Sequence, residues 1–234
     1  MAYTFVLVHG AWHGGWCWQR VADRLRAGGH AVFTPTLSGL GERSHLLGAG
    51  IDLGTHITDV VNVLKWEGLG DVVLCGHSYG GFVISGVAEE TAAVRAIVFL
   101  DAFVPRDGES VLDLTGPAVR EAASAAKARG DLGVPPRPAE AFGVNPADRA
   151  WVDRLCGPQP IATFTDKIAL TGAAGRIARK AYVRAASYAN PGFDRAFAAV
   201  QSDPAWRSYT VDCGHDVMVD APERLCEILL EAAR

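Results

Sequence analysis

Directly after the apolar run Val72 to Cys75 the chain reads Gly76-His77-Ser78-Tyr79-Gly80-Gly81, a G-x-S-x-G pattern set between strand-like and helix-like stretches. A serine on so sharp a turn occupies a crowded backbone conformation. Its neighbours must therefore be small: Gly76 and Gly80 remove Cβ clashes, and Gly81 lets the following helix pack close. The helix N-terminus behind Ser78 favours negative charge developing there, and the N–H of Tyr79 is placed to donate to an oxyanion. A serine hydroxyl is a poor nucleophile until a neutral imidazole accepts its proton. Of the 7 histidines, only His215, in Asp212-Cys213-Gly214-His215-Asp216, follows the serine in chain order at a strand's end. His30, His45 and His56 read as structural, His9 and His77 as braces for the loops that hold oxyanion donors, and His13 is left undecided.

These groups need a scaffold that brings them to one edge. Six β-branched or aromatic runs supply candidate strands: Thr4 to Val8, His30 to Pro35, Asp71 to Cys75, Arg95 to Leu100, Lys180 to Ala185, and Trp206 to Val211. Between them Trp18, Val21, Ala22 and Leu25 recur at helical spacing, as do Ile57, Val60, Val61 and Leu64, and again Leu225, Ile228, Leu229 and Ala232. The alternation predicts an α/β fold with a doubly wound, mostly parallel sheet, whose ligands bind beyond the carboxyl ends of the strands. The loop His9-Gly10-Ala11-Trp12-His13-Gly14-Gly15-Trp16 then lies at the same edge as Ser78. It can supply a second oxyanion N–H, or its glycines can simply pack the loop under the next helix.

The rhythm breaks once. About 75 residues from Pro105 to Arg179 separate the fourth strand from the fifth, far more than a crossover helix requires. The predicted organisation is a core of residues 1–104 and 180–234 with a helical cap, 105–179, inserted after the fourth strand. Helical pieces are expected over Val111 to Arg129, Pro146 to Cys156 and Ile161 to Leu170, with a break at Pro135, Pro136 and Pro138.

Composition narrows the function classes. The 234 residues carry 22 basic and 26 acidic side chains, a formal charge of −4, without a block of like charge, so neither nucleic acid nor an anionic membrane surface has an electrostatic footprint. Cys17, Cys75, Cys156, Cys213 and Cys226 are odd in number and never at metal-ligand spacing, and read as buried free thiols. The apolar stretch before His9 is too short for a signal-peptide core, and no run reaches the about 18 apolar residues of a membrane span. A cytoplasmic location and no metal or organic cofactor are the resulting expectations.

The motifs resemble the α/β-hydrolase superfamily, and within it the branch of plant methyl-salicylate esterases and hydroxynitrile lyases with their bacterial serine esterase relatives. The resemblance is most specific in Val6 to Trp16, Gly76 to Gly81 and Gly214-His215. It implies that Ser78 is the nucleophile, His215 the base, and the N–H groups of Ala11 and Tyr79 the oxyanion hole. The lyases carry threonine at the position of Gly10 and lysine directly after the histidine, where this chain has Asp216, so cyanohydrin cleavage loses its support. Most members place the triad acid after the penultimate strand, yet Ala185-Ala186-Ser187-Tyr188-Ala189-Asn190-Pro191 holds no carboxylate. Asp101, at the end of the fourth strand, is the substitute. Several branches, the haloalkane dehalogenases among them, are similar in placing the acid there, and Asp194 is the rival.

The implied chemistry is acyl transfer from a small or medium hydrophobic ester through an acyl-enzyme on Ser78. Activity then rises with pH through about 6.5 as imidazole becomes neutral. Trp12, Leu37, Phe103 and Val104 are the expected pocket residues. Lactonase or carbon–carbon bond hydrolase chemistry would use the same serine machinery. A receptor-like protein that binds a ligand with weak turnover is the reading from a different class.

Overall fold

The computed structural model describes residues 1–234. Eight strands are present: β1 (Thr4–Val8), β2 (Ala31–Phe33), β3 (Val72–His77), β4 (Val94–Leu100), β5 (Gly133–Val134), β6 (Gln159–Pro160), β7 (Arg179–Ala185) and β8 (Trp206–Val211). Six form one sheet in the order β2-β1-β3-β4-β7-β8, with every neighbouring pair parallel. The doubly wound parallel sheet is therefore as the alternation implied. β3 is buried at all six positions, as a strand covered on both faces must be, which explains its unbroken apolar run.

The helices are α1 (Gln19–Ala27), α2 (Leu53–Trp66), α3 (Gly80–Glu90), α4 (Val111–Leu114), α5 (Pro117–Arg129), α6 (Arg149–Leu155), α7 (Ala162–Thr165), α8 (Ala173–Arg176), α9 (Pro191–Gln201), α10 (Val217–Asp220) and α11 (Pro222–Ala232). Against the sheet, α1 packs with α11 and α2 with α3. The stripes read from the sequence are the buried faces: Val21, Ala22 and Leu25 on α1, and Leu225, Ile228, Leu229 and Ala232 on α11. Asp52 caps α2 by accepting from the N–H of Thr55 at 2.7 Å.

The segment between β4 and β7 is less regular than expected. The single helix foreseen over Val111 to Arg129 is two, α4 and α5, because Gly116 is extended and Pro117 opens the second as its first residue. Pro146 to Cys156 narrows to α6, and Ile161 to Leu170 to the single turn of α7. A small antiparallel pair, β5 with β6, brackets α6. No helix is long and apolar enough to cross a membrane.

Candidate active site

β3 delivers Ser78 to the carboxyl edge in a left-handed conformation, φ 54°, which a non-glycine residue holds at a cost of about 1–3 kcal/mol. Surrounding hydrogen bonds offset it. The Ser78 N–H donates to the Leu100 carbonyl at 3.1 Å, and the Ser78 carbonyl accepts from the N–H groups of Gly81 and Phe103. Gly76 is required by contact: a Cβ there would lie 2.5 Å from the Gly80 carbonyl oxygen. Asp101, directly past β4, is also left-handed, at φ 41°, as is the cavity residue Trp12 at φ 67°.

His215 is reached from the far end of the chain. Its N–H donates to the Phe142 carbonyl at 2.8 Å, so the segment between β4 and β7 helps to seat the histidine. The Nδ1–H donates to Asp101 Oδ2 at 2.6 Å, which leaves Nε2 as the basic nitrogen. The ring lies flat against Tyr188, 4.5 Å between centroids at 25°, and against Phe193, 5.4 Å at 17°. Asp101 is wholly buried. Its other oxygen, Oδ1, accepts from Arg184 Nη1 at 2.5 Å and from the Ala185 N–H at 3.1 Å. Asp194, on α9, is bonded to Arg184 and its side chain is 62% exposed. The geometry thus brings Asp101, and not Asp194, to the imidazole.

Ser78 and His215 line one cavity of about 490 Å³, together with Ala11, Trp12, Tyr79 and Phe103. The N–H groups of Ala11 and Tyr79, both on buried residues, donate to no protein acceptor and so remain open to an anion. Val111, Val119, Phe142 and Phe164 from the segment before β7 and Tyr188 and Phe193 after it complete the apolar wall. Two expected pocket residues lie elsewhere. Leu37 is a core residue whose N–H donates to His9 Nε2, and Val104 faces a separate groove of about 250 Å³ beside α9. Only Cys17, Cys75 and Cys226 are buried; Cys156 and Cys213, expected to be so too, are half-buried, and all five are free thiols.

Three further histidines, His9, His77 and His13, brace this edge. His9 Nδ1–H donates to the Gly10 carbonyl at 2.8 Å, and burial pushes its pKa down to about 3. His77 Nε2–H donates to the His215 carbonyl at 3.0 Å, its ring 4.4 Å from that of His215. Burial, with His215 nearby, holds its pKa well below the ordinary imidazole value. His13, undecided from the sequence, bonds the Ala11 carbonyl at 2.8 Å and Asp216 Oδ2 at 3.1 Å. Burial opposes its protonation, but Asp216 outweighs it and raises His13 well above the ordinary value. Burial likewise opposes ionisation of Asp216, and His13 outweighs it, holding that carboxyl at about 2. His13 and Asp216 form a buried ion pair that ties the loop of Ala11 to the turn of His215.

Sequence reasoning missed Arg184, Tyr188 and the Asp216 pairing. One signal was available: an arginine inside Tyr182-Val183-Arg184-Ala185 is a cation in a strand otherwise built for burial, and such a cation needs a carboxylate partner.

Residues 5–228 match the Alpha/beta hydrolase family. A carbendazim hydrolyzing esterase from Nocardioides sp. (strain SG-4G) is 44% identical over 97% of this chain and 98% of its own. Methylesterase 7 of Arabidopsis thaliana is 38% identical over 43% of this chain and 40% of its own. Among solved structures, an extracellular α/β-hydrolase from a Paenibacillus species superposes with a TM-score of 0.87 at 26% identity, covering 99% of both chains. It is described as sharing structural and functional homology with tobacco salicylic acid binding protein 2. By sequence match and by fold alike, this chain belongs to the α/β-hydrolase family, in the branch of ester-cleaving enzymes that includes the plant methylesterases.

Proposed function

We propose that the chain is a serine carboxylesterase acting on small or medium hydrophobic esters. The reading rests on one observation above the others: the imidazole whose Nδ1 is committed to buried Asp101 shares a cavity with a serine held on a strained turn. Ser78 Oγ attacks the ester carbonyl while His215 Nε2 takes its proton. The tetrahedral oxyanion is received by the N–H groups of Ala11 and Tyr79, and His215 then protonates the departing alcohol. Water repeats the sequence on the acyl-enzyme.

The segment 105–179 acts as a cap, since it supplies Val111, Val119, Phe142 and Phe164 to the cavity and seats His215 through the Phe142 carbonyl. Aromatic lining favours a flat, apolar acyl or aryl group. Lyase chemistry is disfavoured by Gly10 and Asp216: a Cβ at residue 10 would lie 2.8 Å from His77 Nδ1 and 2.9 Å from Ser78 Cβ, and Asp216 offers an anion already paired with His13. Five free cysteines favour a reducing, cytoplasmic compartment, although the Paenibacillus neighbour is extracellular.

The test is a panel of p-nitrophenyl esters of graded acyl length, with carbendazim added because the Nocardioides relative is named for hydrolysing it. Hydrolysis that disappears in Ser78→Ala supports the proposal. Labelling of Ser78 by a fluorophosphonate without turnover of any ester would favour a ligand-binding protein instead.

A further inference from the structure

Parallel pairing of β4 with β7 sets Leu100 beside Val183, so the residues that follow, Asp101 and Arg184, emerge together at the carboxyl edge. All five guanidinium N–H groups of Arg184 have acceptors. Nη1 donates to Asp101 Oδ1 and the Ala185 carbonyl, Nη2 to the Tyr188 carbonyl and Asp194, and Nε to Asp194. The side chain is only 7% exposed. An arginine this completely bonded is held rigidly, and it touches both the acid that contacts His215 and the loop that lays Tyr188 against the His215 ring.

We propose that Arg184 is a positioning residue that keeps the Asp101–His215 pair in its working protonation state, carboxylate beside neutral imidazole. A buried carboxylate with no counter-charge is costly, and an unassisted Asp101 would draw a proton onto His215 and hold it there. An imidazolium cannot act as base. Arg184 supplies a permanent positive charge on the opposite oxygen, so the carboxylate stays ionised whether or not the imidazole is protonated. Its bond to the Tyr188 carbonyl also fixes the aromatic face against which the imidazole rests.

Several other groups face the pair. They are Tyr182 on β7, whose hydroxyl donates to the Ala102 carbonyl, Asp194 on α9, His77 on β3, Tyr188 and Cys213 on the flanking loops, and Asp216 with His13 beneath the turn. Arg137 and Glu140 line the same cavity, Arg137 donating to the Tyr188 hydroxyl at 3.4 Å, and Arg184 is the one guanidinium hydrogen-bonded to the pair itself. Asp194, mostly exposed, draws off part of its charge.

The proposal rests on the serine-esterase reading, but its test separates the two. In Arg184→Met the acid limb of the kcat/KM–pH profile is expected to move up by about 1 unit or more, while in Arg184→Lys, which keeps the charge, it stays near that of the parent. Asp194→Asn, at an exposed position that does not threaten folding, frees more of the arginine's charge for Asp101 and is expected to move the limb the other way by a few tenths of a unit. Proton NMR of the His215 imidazole reads the same shifts with no substrate, so absence of ester turnover would sink the esterase reading without touching this one. Titration curves that coincide in the parent, Arg184→Met and Asp194→Asn would overturn the proposal. So would equal displacement in Arg184→Lys and Arg184→Met, which would mark Arg184 as merely structural. If Arg184→Met does not fold, an unmoved or upward-moved curve in Asp194→Asn is enough to reject it.

Discussion

Asp101 Oδ2 accepts from His215 Nδ1 at 2.6 Å across 114 residues of sequence, and no other carboxylate contacts that imidazole. Asparagine at residue 101 keeps the size but loses the charge that orients the correct tautomer. By analogy with a protease triad, kcat of Asp101→Asn is expected to fall by up to about 10⁴-fold. The fold persists, because Arg184 retains Asp194 and two carbonyls. Asp194→Asn is expected to keep its plateau kcat within about twofold, since its side chain meets solvent. Steady-state hydrolysis of a p-nitrophenyl ester decides between the two acids, and the reverse ranking would remove Asp101 from the mechanism.

Gly10 sits where any side chain would strike His77 Nδ1 and Ser78 Cβ. Gly10→Ala is therefore expected to push the serine turn out of line and cost up to about 10²-fold in kcat, as small misplacements of reacting groups do. Thermal unfolding should change far less than turnover. An alanine variant with parental kcat would show that the turn yields without displacing the hydroxyl.

Buried neutral histidines set an acid dependence of stability. Burial depresses His56 to about 4 while its Nε2–H donates to the Ser38 carbonyl and its Nδ1 accepts from the Tyr79 hydroxyl. The unfolded chain binds a proton at His56 near pH 6.5 and the folded chain only near 4, so stability falls as pH drops through that window. The difference is about 3 kcal/mol for His56, and His9, depressed to about 3, adds to it over a wider range. Urea unfolding at pH 7, 5.5 and 4.5 measures the slope, which should shrink in His56→Gln.

The His13–Asp216 ion pair behaves differently. The Asp216 carboxyl, lowered to about 2, contributes stability above its unfolded value of 3.8 that is lost as pH falls towards 2. His13, raised well above its ordinary value, contributes stability that is complete below about 6.5 and lost only as pH rises through its elevated value. At neutral pH the pair is intact. Asp216→Asn is expected to lose about 1–3 kcal/mol, because the ion pair is gone and buried His13 gives up its proton, read by urea unfolding at pH 7. Turnover should fall as well, because the Ala11 carbonyl is held by the same His13.

Ser78 was legible in the sequence because the rule that marks it is local: a tight strand-to-helix turn excludes side chains at Gly76 and Gly80 whatever the rest of the chain does. The six sheet strands and the stripes of α1, α2 and α11 were legible for a related reason, since burial on a sheet imposes a period on adjacent residues. His215 and Asp101 could be named as candidates because both end strands, and parallel strands share one carboxyl edge. Choosing Asp101 over Asp194 needed the folded chain, for it depends on Asp101 reaching the His215 imidazole while Asp194 pairs with Arg184, an arrangement set by how distant segments pack and encoded by no spacing. The cavity wall was hidden for another reason. Apart from α5 the residues before β7 form short, irregular pieces with too few turns for a period to emerge, and which of their side chains face inward is decided by packing such as that of Phe142 against Trp12 and the His215 turn.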